Sequence, residues 1–209
     1  SMEFDGVGDY IATNSVTLFG GVSAFTVSVW IYLPTGTFTN NYICASWAGA
    51  NQVMIRILGT GTSLDLFATT AGGQAGGNTQ SFPGLDQWVH VLAVYTGSLL
   101  KTYVNGVIGG TTFAQSGTIN AGTAPGDDFI IGGLTTGGSK MVGNLDDFAV
   151  WQSDQSANIS AIYNSGVPSD LSSLSPYLYY RMGEGSYWNA TNWQLPDYSK
   201  QALFSQKSF

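Results

Sequence analysis

The chain has 209 residues, 44% of them hydrophobic and only 9% charged, and its 13 acidic and 6 basic residues give a formal net charge of −7. With 13% aromatics and so little charge it is neither a disordered chain nor a helical bundle rich in Glu, Lys and Ala. Its basic residues (Lys101, Lys140, Lys200, Lys207, Arg56 and Arg181) are scattered, so it offers no basic stripe to nucleic acid and little attraction to anionic lipid.

In chain order, the first clear element is Phe25–Leu33. Phe25, Val27, Val29, Ile31 and Leu33 point one way and Thr26, Ser28, Trp30 and Tyr32 the other, a period of two that predicts a strand with one face in a core. Pro34 and Gly36 stop it. Strands follow at Asn41–Trp47, Gln52–Leu58 and Ser63–Thr69, then a Gly-rich stretch from Ala71 to Gly84 that reads as a long loop. Trp88–Tyr95 and Leu99–Val104 are strands, and Asn105-Gly106 before Val107-Ile108 is a type I′ hairpin signal. A second polar loop spans Gly109–Asp127, and the segments DFIIGGL and NLDDFAVW are strands. From Ser156 to Asn164 the spacing of Ile159, Ile162 and Tyr163 predicts one short helix, capped by Ser153 or Asp154 and closed by Gly166 and Pro168. Leu174–Met182 returns to strand, and Gly183–Phe209 reads as an irregular aromatic tail.

This order predicts an all-β fold: one domain over residues 1–209, a jelly-roll sandwich of two antiparallel sheets with a short helix near 156–164. Apolar runs are of strand length, so no membrane insertion is expected. No signal peptide opens the chain; Ser1-Met2 reads as a vector remnant, which leaves the natural start and any targeting signal open. Cys44 is the one cysteine, so no internal disulfide forms. His90 is the one histidine, and inside WVHVLAV it reads as a residue on a strand face rather than a catalytic base.

Five motifs in order carry a resemblance. Phe4-Asp5-Gly6 with Asp9-Tyr10-Ile11, then FTVSVWIY, then Trp88-Val89-His90 with Tyr103-Val104-Asn105-Gly106, then Gly143-Asn144-Leu145-Asp146-Asp147-Phe148, then Ile162-Tyr163-Asn164-Ser165-Gly166 resemble laminin-G-like members of the concanavalin A-like lectin/glucanase superfamily. The ending, with Tyr179-Tyr180-Arg181-Met182 and Glu184, is most similar to modules of bacterial surface and phage structural proteins. The resemblance implies a structural calcium ion held by Asp5, Asp9 and Asp146 or Asp147, with backbone carbonyls near Gly6 and Val7. A second reading of the same residues stands beside it: Asp5 or Asp9 capping a turn, and Asp147 bonding backbone amides at a strand end.

The superfamily's glucanases need two close carboxylates on one strand. Here Glu3 and Glu184, the two glutamates, lie near opposite ends, Asp127 and Asp128 sit in a loop, and adjacent Asp146 and Asp147 are expected on opposite faces of a strand. The chain is therefore not expected to be an enzyme. Sugar binding by aromatic faces and amides points to Trp47, Asn51 and Gln52 in a loop and to Tyr187, Trp188, Trp193 and Tyr198 in the tail, while Trp30, Trp88 and Trp151 are expected in the core. For the tail aromatics the favoured reading is packing, since an irregular segment needs them to stay docked. None of the Gly pairs precedes a helix with Lys-Ser/Thr, so no phosphate loop is expected. The expected function is a lectin-like carbohydrate-binding or adhesion module, extracellular, at a cell surface or on a virion, with glycan or polysaccharide as partner. The alternative is a structural domain that contacts other subunits of a virion or surface assembly and has no sugar ligand. A glycoside hydrolase is the third.

Overall fold

The computed structural model describes residues 1–13, 18–36, 40–47, 52–59, 61–121, 129–134, 139–190, 193–199 and 205–208. Its strands are β1 (Met2–Asp5), β2 (Tyr10–Ala12), β3 (Phe25–Tyr32), β4 (Asn40–Ser46), β5 (Val53–Leu58), β6 (Ser63–Thr70), β7 (Gly73–Ser81), β8 (Trp88–Tyr95) and β9 (Leu99–Val104). They continue as β10 (Val107–Ile108), β11 (Phe113–Ala114), β12 (Ile130–Ile131), β13 (Val142–Trp151), β14 (Leu178–Tyr180), β15 (Tyr187–Trp188), β16 (Trp193–Leu195) and β17 (Ser205–Ser208). One sheet runs β1-β13-β3-β8-β9-β10, with β11 on β9 and β14 on β13; the other runs β15-β16-β17-β2-β12-β4-β5-β6-β7. Every pairing is antiparallel, as the jelly-roll expectation requires.

The inward residues of the alternating strands meet between the sheets. Phe25, Val27, Val29 and Ile31 from β3 and Val89, Val91, Ala93 and Tyr95 from β8 pack with Ile43, Ile55, Leu66 and Ile131 of the other sheet, all fully buried. Burial on this scale, at about 25 cal/mol per Å² of apolar surface, supplies the main drive to fold.

The expected helix forms, tightened at both ends. A 3-10 turn at Ser156–Asn158 leads into α1 (Ile159–Tyr163) and a second 3-10 turn at Asn164–Gly166. Asp154 accepts the Ser156 N–H at 2.8 Å in an Asx turn one residue ahead of the N-cap position, which Gln155 fills without a side-chain bond, and Asn164 takes the left-handed φ of 46° that ends the helix. Ile162 seats the element in a cluster with Leu92, Val94, Ala149, Trp151 and Tyr179 on the face of the eight-stranded sheet away from the core.

Two expectations are corrected. The Ala71–Gly84 stretch is no loop over most of its length: Gly73–Ser81 is β7, paired with β6 from Thr70↔Gly73 to Ser63↔Ser81. Its lack of apolar residues hid it, and its glycines have a steric reason. Gly76 lies at φ 133°, where an added Cβ would fall 2.1 Å from the Leu66 carbonyl oxygen. The tail is likewise not irregular, since β15, β16 and β17 extend the nine-stranded sheet past β2. The Asn105-Gly106 hairpin does form, with both φ values positive.

Candidate functional site

The aspartates of the expected calcium site divide into two groups. Asp5 Oδ1 accepts the N–H groups of Val7 (2.8 Å) and Gly8 (3.2 Å), and Asp9 Oδ2 accepts the Asp5 N–H (3.2 Å). This is an Asx turn, and Gly6 serves it at φ 82°, where a Cβ would strike Val142. Across the sheet Asp5 faces Val142. Asp146 lies four residues further along β13, roughly 13 Å at about 3.3 Å per residue. Asp5, Gly6 and Asp9 therefore do not share a site with Asp146 and Asp147, and among the described residues no group of three or more His, Cys, Asp or Glu is placed to hold a metal.

Asp146 and Asp147 correct a second expectation. The β13–β3 register shifts between Asp146 and Ala149, and Asp147 occupies the bulge at φ 43°. The extra residue keeps Leu145 and Phe148 in the core and places both aspartates on the outer side, rather than on opposite faces. Asp147 is 7% exposed, its Oδ1 accepts the Tyr179 hydroxyl at 2.9 Å, and Arg181 stands 4.0 Å away. Burial, reinforced by the neighbouring Asp146 charge, raises its pKa against the Tyr179 bond. Of the glutamates, Glu3 is on β1 opposite Asn144, and Glu184 pairs with Arg181 at 3.1 Å. Asp127 and Asp128 lie outside the described residues.

The outward face of β3 and β8 is the next concentration of chemistry. His90, fully buried, shares a 2.9 Å bond between Nε2 and Ser28 Oγ, while Nδ1 has no partner among the described residues. Burial lowers its pKa to about 4, so it is neutral at pH 7. Its ring packs against Trp30 at 5.1 Å and Tyr163 at 5.7 Å. Trp30 and Trp151 are buried, but on this outer face rather than between the sheets, and Trp88 is 41% exposed, which corrects the core expectation for it. Trp30 and Trp88 instead line a cleft with Asp146, Gly166 and Pro168. The period of two had already put Trp30 and Tyr32 on the face opposite Phe25, Val27, Val29 and Ile31.

The first candidate loop separates. Gln52 is 1% exposed and fully engaged: Oε1 accepts the Ser46 hydroxyl at 2.7 Å and Nε2 donates to the Asn120 carbonyl at 2.6 Å, so it closes a turn and meets no ligand. Trp47 is half-buried and packs edge-on against Phe67 in a cluster with Tyr42, Ala45 and Met54. Asn51 lies outside the described residues.

Of the tail candidates, Trp188 and Trp193 come together. Tyr187 and Trp188 are β15 and Trp193 opens β16, with Trp188 paired to Trp193 and their rings edge-to-face at 6.0 Å. Tyr187 is 53% exposed, Trp188 50%, Trp193 39% and Tyr198 37%. Tyr198 helps to dock the segment, its hydroxyl donating to the Glu184 carbonyl at 3.0 Å and its ring meeting Tyr179 edge-on at 6.3 Å. Asp197 Oδ1 accepts the N–H groups of Tyr179 (2.9 Å) and Ser199 (2.8 Å), the Tyr198 N–H donates to the Tyr179 carbonyl (2.8 Å), and Leu195 is buried in the core. Backbone pairing and Asp197 also hold the tail, while half of Trp188 and two-fifths of Trp193 stay exposed. The two indoles share one face of the hairpin, whereas Tyr187, beside Trp188 on β15, takes the other; an exposed aromatic pair is a candidate contact surface.

Comparison with known proteins agrees with this architecture. The chain is similar to a candidate carbohydrate-binding protein from Bacteroides ovatus, at 19% identity and a TM-score of 0.70 over 99% of this chain; it spans 57% of that protein's length. It is similar to a heptameric SAP-like pentraxin from Limulus polyphemus, at 24% identity and a TM-score of 0.53 over 77% of this chain and 80% of that one. Domain 4 of an extracellular arabinanase from Geobacillus stearothermophilus, solved with arabinotriose, gives 14% identity and a TM-score of 0.53 over 73% of this chain and 69% of that one. At such identities the likeness carries the fold. No curated protein sequence matches the chain. Residues 5–158 match the Laminin_G_3 family model, and the chain belongs to that family, within the concanavalin A-like lectin/glucanases superfamily.

Proposed function

We propose that the chain is a non-catalytic, lectin-like module that binds glycans outside the cell or at a cell surface, using the β15–β16 hairpin as its contact. The observation that carries this is the exposed edge-to-face pair of Trp188 and Trp193, 6.0 Å apart on the β15–β16 hairpin. Indole and phenol faces pack on the C–H faces of sugar rings, and being rigid they lose little entropy on binding. The similarity to a candidate carbohydrate-binding protein and to an arabinanase domain solved with arabinotriose supports the ligand class.

The non-catalytic part rests on the carboxylates. A retaining or inverting mechanism needs two of them flanking one bond. Asp146 faces the cleft, whereas Asp147 is buried beneath Tyr179 and Glu184 is committed to Arg181. A glycan array that includes arabinotriose tests the reading, paired with a reducing-end assay on every glycan that binds. Retention of a defined set of glycans without cleavage is expected; an array without hits, or turnover of a bound glycan, contradicts it.

A further inference from the structure

Trp188 and Trp193 do not make a flat platform. Their rings meet edge-to-face, 6.0 Å apart with planes inclined by 61°, so no single plane lies against both indole faces. The two planes instead bound a corner. Neither remaining tail aromatic extends it. Tyr187 stands on the other face of the hairpin, and Tyr198 is turned to Tyr179 and Glu184.

The place of the hairpin in the sandwich sets a second limit. Trp193 is two residues from Leu195 on β16, and Leu195 is buried in the core. A strand returns to the same face every two residues, so the indole pair lies on the inward side of the nine-stranded sheet. β15 and β16 end that sheet, and there both rings are exposed, so the other sheet no longer covers them. Its edge is nonetheless close. Directly after β16 the chain crosses to β14, where Asp197 accepts the Tyr179 N–H and the Tyr198 N–H donates to the Tyr179 carbonyl. Packed sheets stand about 10 Å apart. The corner therefore opens into a step between two layers and not onto a broad surface.

We infer that the hairpin site takes one or two sugar residues of a soluble glycan, at a chain end or short branch, and excludes the flat face of a crystalline polysaccharide. The inference rests on the reading of the hairpin as the glycan contact, and it names the class of glycan. One sugar ring lays its C–H face on one indole and its edge against the other, so both indoles serve the same residue. A long chain lying flat needs coplanar rings, and it would run into the step.

The test uses the full chain and its Trp188→Ala, Trp193→Ala and double variants, each checked by its melting curve. Arabino-, cello- and chito-oligosaccharides of one to six residues are titrated, with the same-length series of any other glycan the array retains. Microcrystalline cellulose and crystalline chitin are offered in depletion assays. In a series that binds, affinity is expected to stop rising after two residues, each further residue changing it by less than about twofold. Neither solid should deplete the protein. Each single variant should lose at least about tenfold in affinity, most of what the double variant loses, because both rings touch one sugar and their losses couple. Three results overturn the inference: affinity that keeps climbing to six residues, depletion on either solid that the double variant abolishes, or single losses that add up to the double loss. Each of these leaves the hairpin a glycan contact. A blank array, or binding that the double variant keeps in full, removes that reading itself and the inference with it.

Discussion

The outer face of the eight-stranded sheet and the β15–β16 hairpin hold the same kinds of residue and treat them oppositely. Under the helix, Trp151, Tyr179 and Trp30 are almost wholly buried, and Trp151 Nε1 donates to the Leu174 carbonyl at 3.0 Å. On the hairpin, Trp188 and Trp193 keep half and two-fifths of their surface in water. The difference lies in what covers them. The helix and the Ser172–Leu174 turn lie over the first group, while the tail, fastened in part by Asp197 and strand pairing, leaves half of Trp188 and two-fifths of Trp193 exposed. Aromatic content alone therefore does not tell core from surface in this protein; what covers each ring does.

The largest effect should come from breaking the covered side. Trp151→Ala removes a buried indole and its hydrogen bond and should cost about 3–5 kcal/mol in denaturant unfolding. Trp188→Ala should change stability by no more than about 0.5 kcal/mol. Equal losses would erase the contrast.

Acid should separate the regions next. His90 has its pKa lowered to about 4 from an ordinary 6.5, so between those values the unfolded chain holds a proton that the folded one refuses. Stability is then complete above about pH 6.5 and falls by about 3 kcal/mol as the pH drops to about 4. Asp147, its pKa raised by burial, acts in the opposite sense in the carboxylate range. Urea unfolding across this window should show the loss in the natural chain and a flatter profile in His90→Gln; parallel profiles would remove His90 as the cause.

The smallest effect is expected from chelation. With Asp5 and Asp9 closing their own turn and Asp146 some four residues further along β13, EDTA should leave the melting temperature unchanged. A drop reversed by calcium would place an ion at one of the two aspartate groups and restore the implied metal.

Much of the sandwich was legible because β3 and β6 alternate residue character along the strand and β8 is an apolar run of strand length. β7 was not, because an edge strand pressed on its neighbour's backbone needs glycine, and glycine reads as loop. The Asp146-Asp147 pair misled for a related reason: a bulge changes which face a residue takes, and nothing in a dipeptide announces it. Of the candidate ligand residues, Tyr187, Trp188 and Trp193 are exposed, as an aromatic tail read from composition allowed. Gln52 failed because its neighbours Ser46 and Asn120, distant in sequence or across a turn, use both ends of its amide. Trp88 was expected in the core because β8 is a core strand, but it stands exposed at that strand's first position.

The most direct test of the account is a calorimetric titration of the tightest glycan from the array into the natural chain and into Trp188→Ala/Trp193→Ala, with melting curves of both. The account predicts affinity at least about tenfold weaker in the variant, with a melting temperature within about 2 °C of the natural chain. Undiminished affinity in a folded variant would contradict it.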